Sequence, residues 1–195
     1  MVCQIYQALS MLIVMTFCLG FLYPLAITGI AQIAFPAQAN GSIVYLEGKP
    51  VGSRLIGQDF SSPGYFHSRP SAAGEKGYDA AGSGGSNLGP TNSKLIESVT
   101  ERLKQIREEN GLAESAIIPA DLVLASGSGL DPDISGDAAY LQTARIAKER
   151  NITLEQVRML ISRQVEDRQL GLFGEPRINV LQLNLALDSL VGKNR

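Results

Sequence analysis

Hydrophobic and polar positions divide this chain into segments of different character. Residues 8–35, ALSMLIVMTFCLGFLYPLAITGIAQIAF, are apolar almost throughout. About 20 apolar residues as a helix span the hydrocarbon of a bilayer, because a helix satisfies its own backbone there. This stretch is long enough, with some tilt. Pro24 removes one backbone donor and is expected to kink the helix, which membrane helices tolerate. A cleaved signal peptide would carry a basic leader and a shorter apolar core. A buried core helix would be oddly uncharged in so small a domain. The pattern therefore favours a retained membrane anchor over residues 1–36, followed by a soluble domain over residues 37–195.

Beyond Pro36 the periodicity changes. Ser42–Leu46 reads as a strand, Gly48-Lys49-Pro50 as a turn and Val51–Ile56 as a return strand. Residues 60–92 have little periodicity, although Phe60, Tyr65, Phe66 and Tyr78 supply anchors that argue against disorder. Leu95, Ile96, Val99, Leu103 and Ile106 then recur at helical spacing, between cap candidates at Thr91–Ser93 and an Asn110-Gly111 stop. DLVLAS, from Asp121, reads as a short extended segment entering a second Gly/Ser/Asp-rich loop. Ser135 is placed to cap a helix reaching about Arg150. The TLEQ run at 153–156 is a capping box opening a helix whose apolar face is Leu154, Val157, Leu160 and Ile161. Leu170–Phe173 reads as a strand. Residues 180–190 fit either period, and their Leu, Ala, Gln and Asp content favours a helix capped by Asn179. The expected class is α+β: one N-terminal transmembrane helix, then a soluble domain with a small sheet and several helices.

Charge sharpens the division. All 17 Lys and Arg and all 19 Asp and Glu lie beyond Leu46, and Glu47 is the first. The net charge of −2 supplies no basic field for nucleic acid. The flanks of the anchor carry too few charges to orient it. Both cysteines, Cys3 and Cys18, belong to the apolar part, about 22 Å apart along one helix and so unable to bridge. A thiol-free soluble part suits an oxidising compartment, though two cysteines decide nothing.

One face of the anchor is distinctive. Gly20, Pro24 and Thr28 recur every fourth residue, with Thr16 and Gln32 extending the series. Small residues at this spacing let helices approach closely in lipid, and the drift of about 40° per step leaves the middle three on a shared face. They are candidates for partner binding. The alternative is a chance series in an apolar helix.

Little in the soluble part resembles self-sufficient catalysis. Neither EGKP nor VGKN completes a phosphate-binding G-x-x-x-x-G-K-[ST] loop. Ser83, Gly84, Gly85, Ser86 and Asn87 are a weak nucleotide candidate, lacking the dinucleotide spacing and its strand–turn–helix setting. Their other reading is a shaped loop whose glycines supply permissive angles. His67 is the only histidine, which leaves a zinc site or a hydrolytic triad thinly supplied. It reads as a hydrogen-bonded loop residue. The phosphorylation motif D-K-T-G of P-type pumps is absent. Tyr65, Phe66 and Arg69 are residue types enriched at interface hot spots, in a long loop, and are further partner-binding candidates. Arg69 could instead brace its own loop. No catalytic residue, metal site or directly bound cofactor is expected.

Taken in order, YPLAITGIAQIAFPAQANGS, GSRLIGQDF, YFHSRPS, SGGSNLGPTN, DLVLASGSGLDPDIS, RIAKERNITLEQV and LGLFGEPRINVLQLNLALD cover nearly the whole chain. Together they resemble the small C subunit of Kdp-type potassium-transporting P-type ATPases. The resemblance implies a complex in the inner (plasma) membrane that handles ATP and potassium collectively. Its other parts would be a channel-like potassium-binding subunit, an ATP-hydrolysing P-type subunit and a small single-helix subunit. It implies a single-pass protein with an extracytoplasmic domain and a role in assembling and stabilising the complex. The alternative it carries is a catalytic chaperone that raises the affinity of the hydrolysing subunit for ATP. That alternative requires nucleotide contact on the cytoplasmic side.

Overall fold

The computed structural model describes residues 2–193. Met1, Asn194 and Arg195, the outer ends of the two expected segments, lie outside them. The chain forms two compact units, the first ending at Val51 and the second beginning at Gly52.

The first unit is dominated by one continuous helical rod, Val2–Ala34, with none of its residues buried. It comprises α1 (Val2–Phe17), a π-helical turn (Cys18–Leu22) and α2 (Tyr23–Ala34). The π turn has a local cause. Pro24 lacks an N–H and its ring would meet the carbonyl of Gly20, four residues earlier. Widening the turn, so that the Tyr23 N–H donates to the Cys18 carbonyl, relieves this. The rod is long and apolar enough to cross a membrane. A short helix α3 (Pro36–Ala39) and a hairpin of β1 (Ile43–Leu46) and β2 (Lys49–Ser53) follow. The hairpin turn is Glu47-Gly48, not the expected Gly48-Lys49-Pro50. Both residues have positive φ, 51° and 78°, the geometry that matches strand twist in a two-residue turn.

The second unit is a helical layer on a three-stranded antiparallel sheet. It contains α4 (Ser93–Asn110), β3 (Asp133–Ile134), α5 (Gly136–Leu141), α6 (Thr143–Arg150), α7 (Leu154–Gln164), β4 (Val165–Glu166), β5 (Arg177–Asn179) and α8 (Val180–Lys193). The sheet order is β3-β5-β4. In register, Ile178 of β5 faces both Ile134 and Val165. These strands set the floor of a core that includes Ile146, Val157, Ile161, Val180, Leu183 and Leu187.

Helix ends follow the local chemistry. Asn92 accepts from the Lys94 N–H and Gly111, left-handed, closes α4. Ser135 caps α5, although the helix expected to run on to Arg150 is interrupted at Gln142. Thr153 and Gln156 make both bonds of the capping box on α7. Asn179 accepts from the Gln182 N–H at the start of α8. Each such cap contributes about 1 kcal/mol. The expected apolar face of α7 buries Val157 and Ile161 but leaves Leu154 exposed. The segment after Pro119 forms a 3-10 turn, Ala120–Leu122, rather than an extended run. Residues 170–173 form a tight turn, closed by the Gln169–Phe173 bridge, rather than a strand.

Candidate functional site

The long loop between β2 and α4 has almost no ladder of its own, so side chains from the helices satisfy its backbone. Arg145 on α6 is the main one. Its guanidinium donates to the carbonyls of Pro63 and Tyr65, to Gln142 Oε1 at 2.6 Å and to Asn110 Oδ1 at 3.1 Å. Gln142 Oε1 also accepts from the His67 N–H at 2.8 Å. Asn184 on α8 makes a reciprocal pair with Phe66, accepting from its N–H at 2.9 Å and donating to its carbonyl at 3.0 Å. Arg150 donates to the Gly64 carbonyl, pairs with Asp188 at 2.9 Å and lies 4.3 Å over the Tyr65 ring. Burial lowers the Arg145 pKa, opposed by Glu109 and Glu149, but a guanidinium stays charged in any case.

The next part of the loop is fastened to the second Gly/Ser-rich loop. Arg69 pairs with Asp131 at 2.9 Å and its side chain is 25% exposed. Ser71 Oγ donates to the Gly129 carbonyl and accepts from the N–H groups of Ala73 and Tyr78. Tyr78 donates its hydroxyl to the Arg69 carbonyl, and burial followed by the nearby Asp59 charge pushes that phenol up to about 12. His67 sits against Ser62 O and, at 3.4 Å, Glu109. Desolvation holds its pKa below 6.5, Arg145 adds to this, and Glu109 and Ser62 oppose it.

The glycines of residues 83–92 answer to close packing. The Gly84 N–H and Ser83 Oγ both donate to the Ser128 carbonyl. A Cβ on Gly85 would stand 3.0 Å from the Gly127 carbonyl oxygen, and one on Gly129, whose φ is +69°, 2.2 Å from that of Gly84. Two backbones touch here, and side chains would part them.

The structure therefore distributes the sequence candidates unevenly. Gly20, Pro24 and Thr28 lie on the exposed rod, the first within the π turn. Tyr65 donates its hydroxyl to Asp188 and stays half-buried. Phe66, expected on a docking surface, is 0% exposed and belongs to the core. The correction has a simple cause, since the Asn184 pair draws its backbone inward and its ring follows. Arg69 braces one loop against the other. Ser83, Gly84, Gly85, Ser86 and Asn87 form part of the loop–loop contact.

Sequence reasoning missed Gln142, Arg145, Arg150 and Asn184. A signal existed for some of them: Gln142 and Arg145 interrupt the apolar face carrying Ala138, Ala139 and Ile146, and Asn184 interrupts that of Val180, Leu183 and Leu187. A polar residue on a buried stripe is a network residue until shown otherwise.

A cavity of about 190 Å³ opens beside this network, between His67, Arg102, Glu109 and Leu122. A wider cleft of about 640 Å³ gathers Asp121, Asp131, Asp133, Asp137 and Glu175. Four of these carboxylates are engaged within the fold: Asp121 accepts from the Ser135 N–H, Asp131 pairs with Arg69, Asp133 with Arg177 and Glu175 with Arg168. Among the described residues no group of three or more His, Cys, Asp or Glu side chains is placed to hold a metal ion. The arrangement is mechanical: it holds two long loops in one shape.

Comparison with known proteins gives this geometry a context. Residues 5–189 match the family described as KdpC, the K+-transporting ATPase c chain. The chain is 57% identical, over 88% of its length and 85% of the relative's, to the potassium-transporting ATPase KdpC subunit of Gemmatimonas aurantiaca. It is 52% identical to the KdpC subunit of Mycobacterium tuberculosis, over 96% of this chain and 98% of the other. The corresponding subunit of Polaromonas naphthalenivorans is also 52% identical, over 94% of this chain and 93% of that one.

Proposed function

The chain belongs to the KdpC family of K+-transporting ATPase c chains, and from that membership we propose that it is a non-catalytic accessory subunit that assembles and stabilises an ATP-driven potassium pump in the membrane. Its partners in this reading are the channel-like potassium-binding subunit, the ATP-hydrolysing P-type subunit and the small single-helix subunit. The anchor provides one contact within the bilayer and the loop-rich domain another on the extracytoplasmic side.

The observation that carries the reading is the bracing of residues 63–67 by Gln142, Arg145, Arg150 and Asn184. A loop fixed before binding loses little conformational entropy on docking, which favours a stable interface. The side chains that fix it are spent on the fold and leave no nucleophile–base pair in the network. The rival role, contact with ATP, would use the amide of Gly84 and the hydroxyl of Ser83, and both already donate to Ser128.

Expression of the other subunits without this chain tests the proposal. Detergent-extracted complex should fall apart and potassium uptake at low external potassium should be lost. A complex that stays intact and merely loses affinity for ATP would favour the chaperone instead.

A further inference from the structure

Between β4 and β5 the chain makes a small hairpin whose tip is apolar and bare. Leu170 is 89% exposed, Leu172 77% and Phe173 63%. Such side chains occur singly on most surfaces, but three within four residues at a protruding turn form a patch. The tip is also held rigidly. Gln169 and Phe173 exchange both backbone hydrogen bonds, the Leu172 N–H donates to the Gln169 carbonyl, and Arg168 pairs with Glu175 across the neck.

Turn chemistry does not account for the residues chosen. Leu170 and Gly171 have φ of 54° and 72°. Glycine suits the second position, but asparagine or aspartate suits the first, and a leucine there is strained. The conformation is kept although it presents Leu170 to water. We propose that this tip is a preformed docking plug that inserts Leu170, Leu172 and Phe173 into an apolar pocket on another subunit of the ATPase. The proposal rests on the assembly role above and names the surface that performs part of it.

Charge favours a protein pocket over the bilayer as the occupant. The neck carries Arg168 and Arg177 against Glu166, Asp167 and Glu175. Arg168 is paired with Glu175, and Arg177 with Glu166 and Asp133. No free cation among these remains to meet anionic headgroups, whereas interfacial insertion is normally flanked by unpaired Lys or Arg. An apolar tip within a self-neutralised collar fits instead the arrangement of an interface core and its polar rim.

The test uses the full chain co-expressed with the other subunits. Leu170→Asn suits the left-handed position better than leucine, and Leu172→Ser removes an exposed side chain. The double variant should keep its melting temperature while retained complex falls about tenfold or more, the effect of losing an interface hot spot. In native membranes, Phe173 replaced by p-benzoylphenylalanine should cross-link on illumination to another subunit of the ATPase. The same group at Lys104, exposed on α4, serves as the comparison. Unchanged retention of the double variant, or a cross-link to phospholipid alone, overturns the plug while leaving the assembly role in place. Failure of the wild-type chain itself to co-purify overturns both.

Discussion

Arg145 shows how one side chain can substitute for a missing strand. Its bonds to Pro63, Tyr65, Asn110 and Gln142 do for residues 63–67 what a neighbouring ladder would do. Arg145→Met keeps much of the stem and removes every donor. Buried acceptors are then left unmet, at a cost of about 3 kcal/mol, which should lower the melting temperature by roughly 10 °C in a domain of this size. A fall below about 2 °C would mean that the loop is held by packing alone. Arg69 is the milder case, because its pair with Asp131 is partly exposed. Arg69→Ala should cost about 1 kcal/mol, or roughly 3 °C. Unaltered melting with weakened assembly would show that Arg69 docks rather than braces. His67 reports on the same network without a mutation, since it is the only histidine. Its folded pKa lies below 6.5, chiefly through desolvation. In the window between the folded pKa and 6.5 the unfolded chain therefore binds more protons. The stability tied to neutral His67 is complete above the unfolded value and is lost as pH falls through that window. NMR titration of its single imidazole should give a midpoint below 6.5; a midpoint above it would mean that Glu109 dominates. Such a network is hard to read from sequence because its members are scattered over three helices. Only their position on apolar stripes betrays some of them.

Elements were legible where their signals are local. The caps at Asn92, Ser135, Thr153 and Asn179 lie within a few residues of the groups they satisfy, so residue order alone reveals them. The strands β3, β4 and β5 are two or three residues long and exist only through partners far along the chain. No alternation can develop over such lengths. The turn at 170–173 looked like a strand for the same reason: its apolar composition reflects exposure at a tip, not burial in a sheet. The N-terminal apolar helix was legible by composition, while its π turn needed the clash between Pro24 and Gly20 to be followed through. A π turn advances less per residue than an α turn, which takes out part of the drift between those two positions. Gly20 has only Thr16 Cγ2 near its missing Cβ, at 3.9 Å. The helix itself therefore accommodates Gly20→Leu, and any loss must come from a partner held away. Co-purification of the other subunits should fall with this variant. Full retention in detergent would remove the face of Gly20, Pro24 and Thr28 from the interface.

At the scale of the whole molecule the governing fact is the segregation of charge: none before Glu47, and every Lys, Arg, Asp and Glu after it. Such a pattern suits the apolar helix to lipid and the charged part to water, but the flanks carry too little charge to decide which side the second unit faces. The two roles weighed above place that unit differently: the assembly role was proposed with the domain on the extracytoplasmic side, whereas contact with ATP requires the cytoplasm. Cysteine usage makes the experiment clean, because Cys3 and Cys18 are the only thiols and both lie in the anchor. With Cys3→Ser and Cys18→Ala removing the background, Lys104→Cys places one thiol on α4 at a side chain that is 77% exposed and paired with Glu108, a surface ion pair of small worth. A membrane-impermeant maleimide should label this position in intact cells to the same extent as in permeabilised ones. Labelling confined to permeabilised cells would put the domain in the cytoplasm. The assembly surface would then have to be sought there, and Ser83–Asn87 would have to be tested directly with nucleotide.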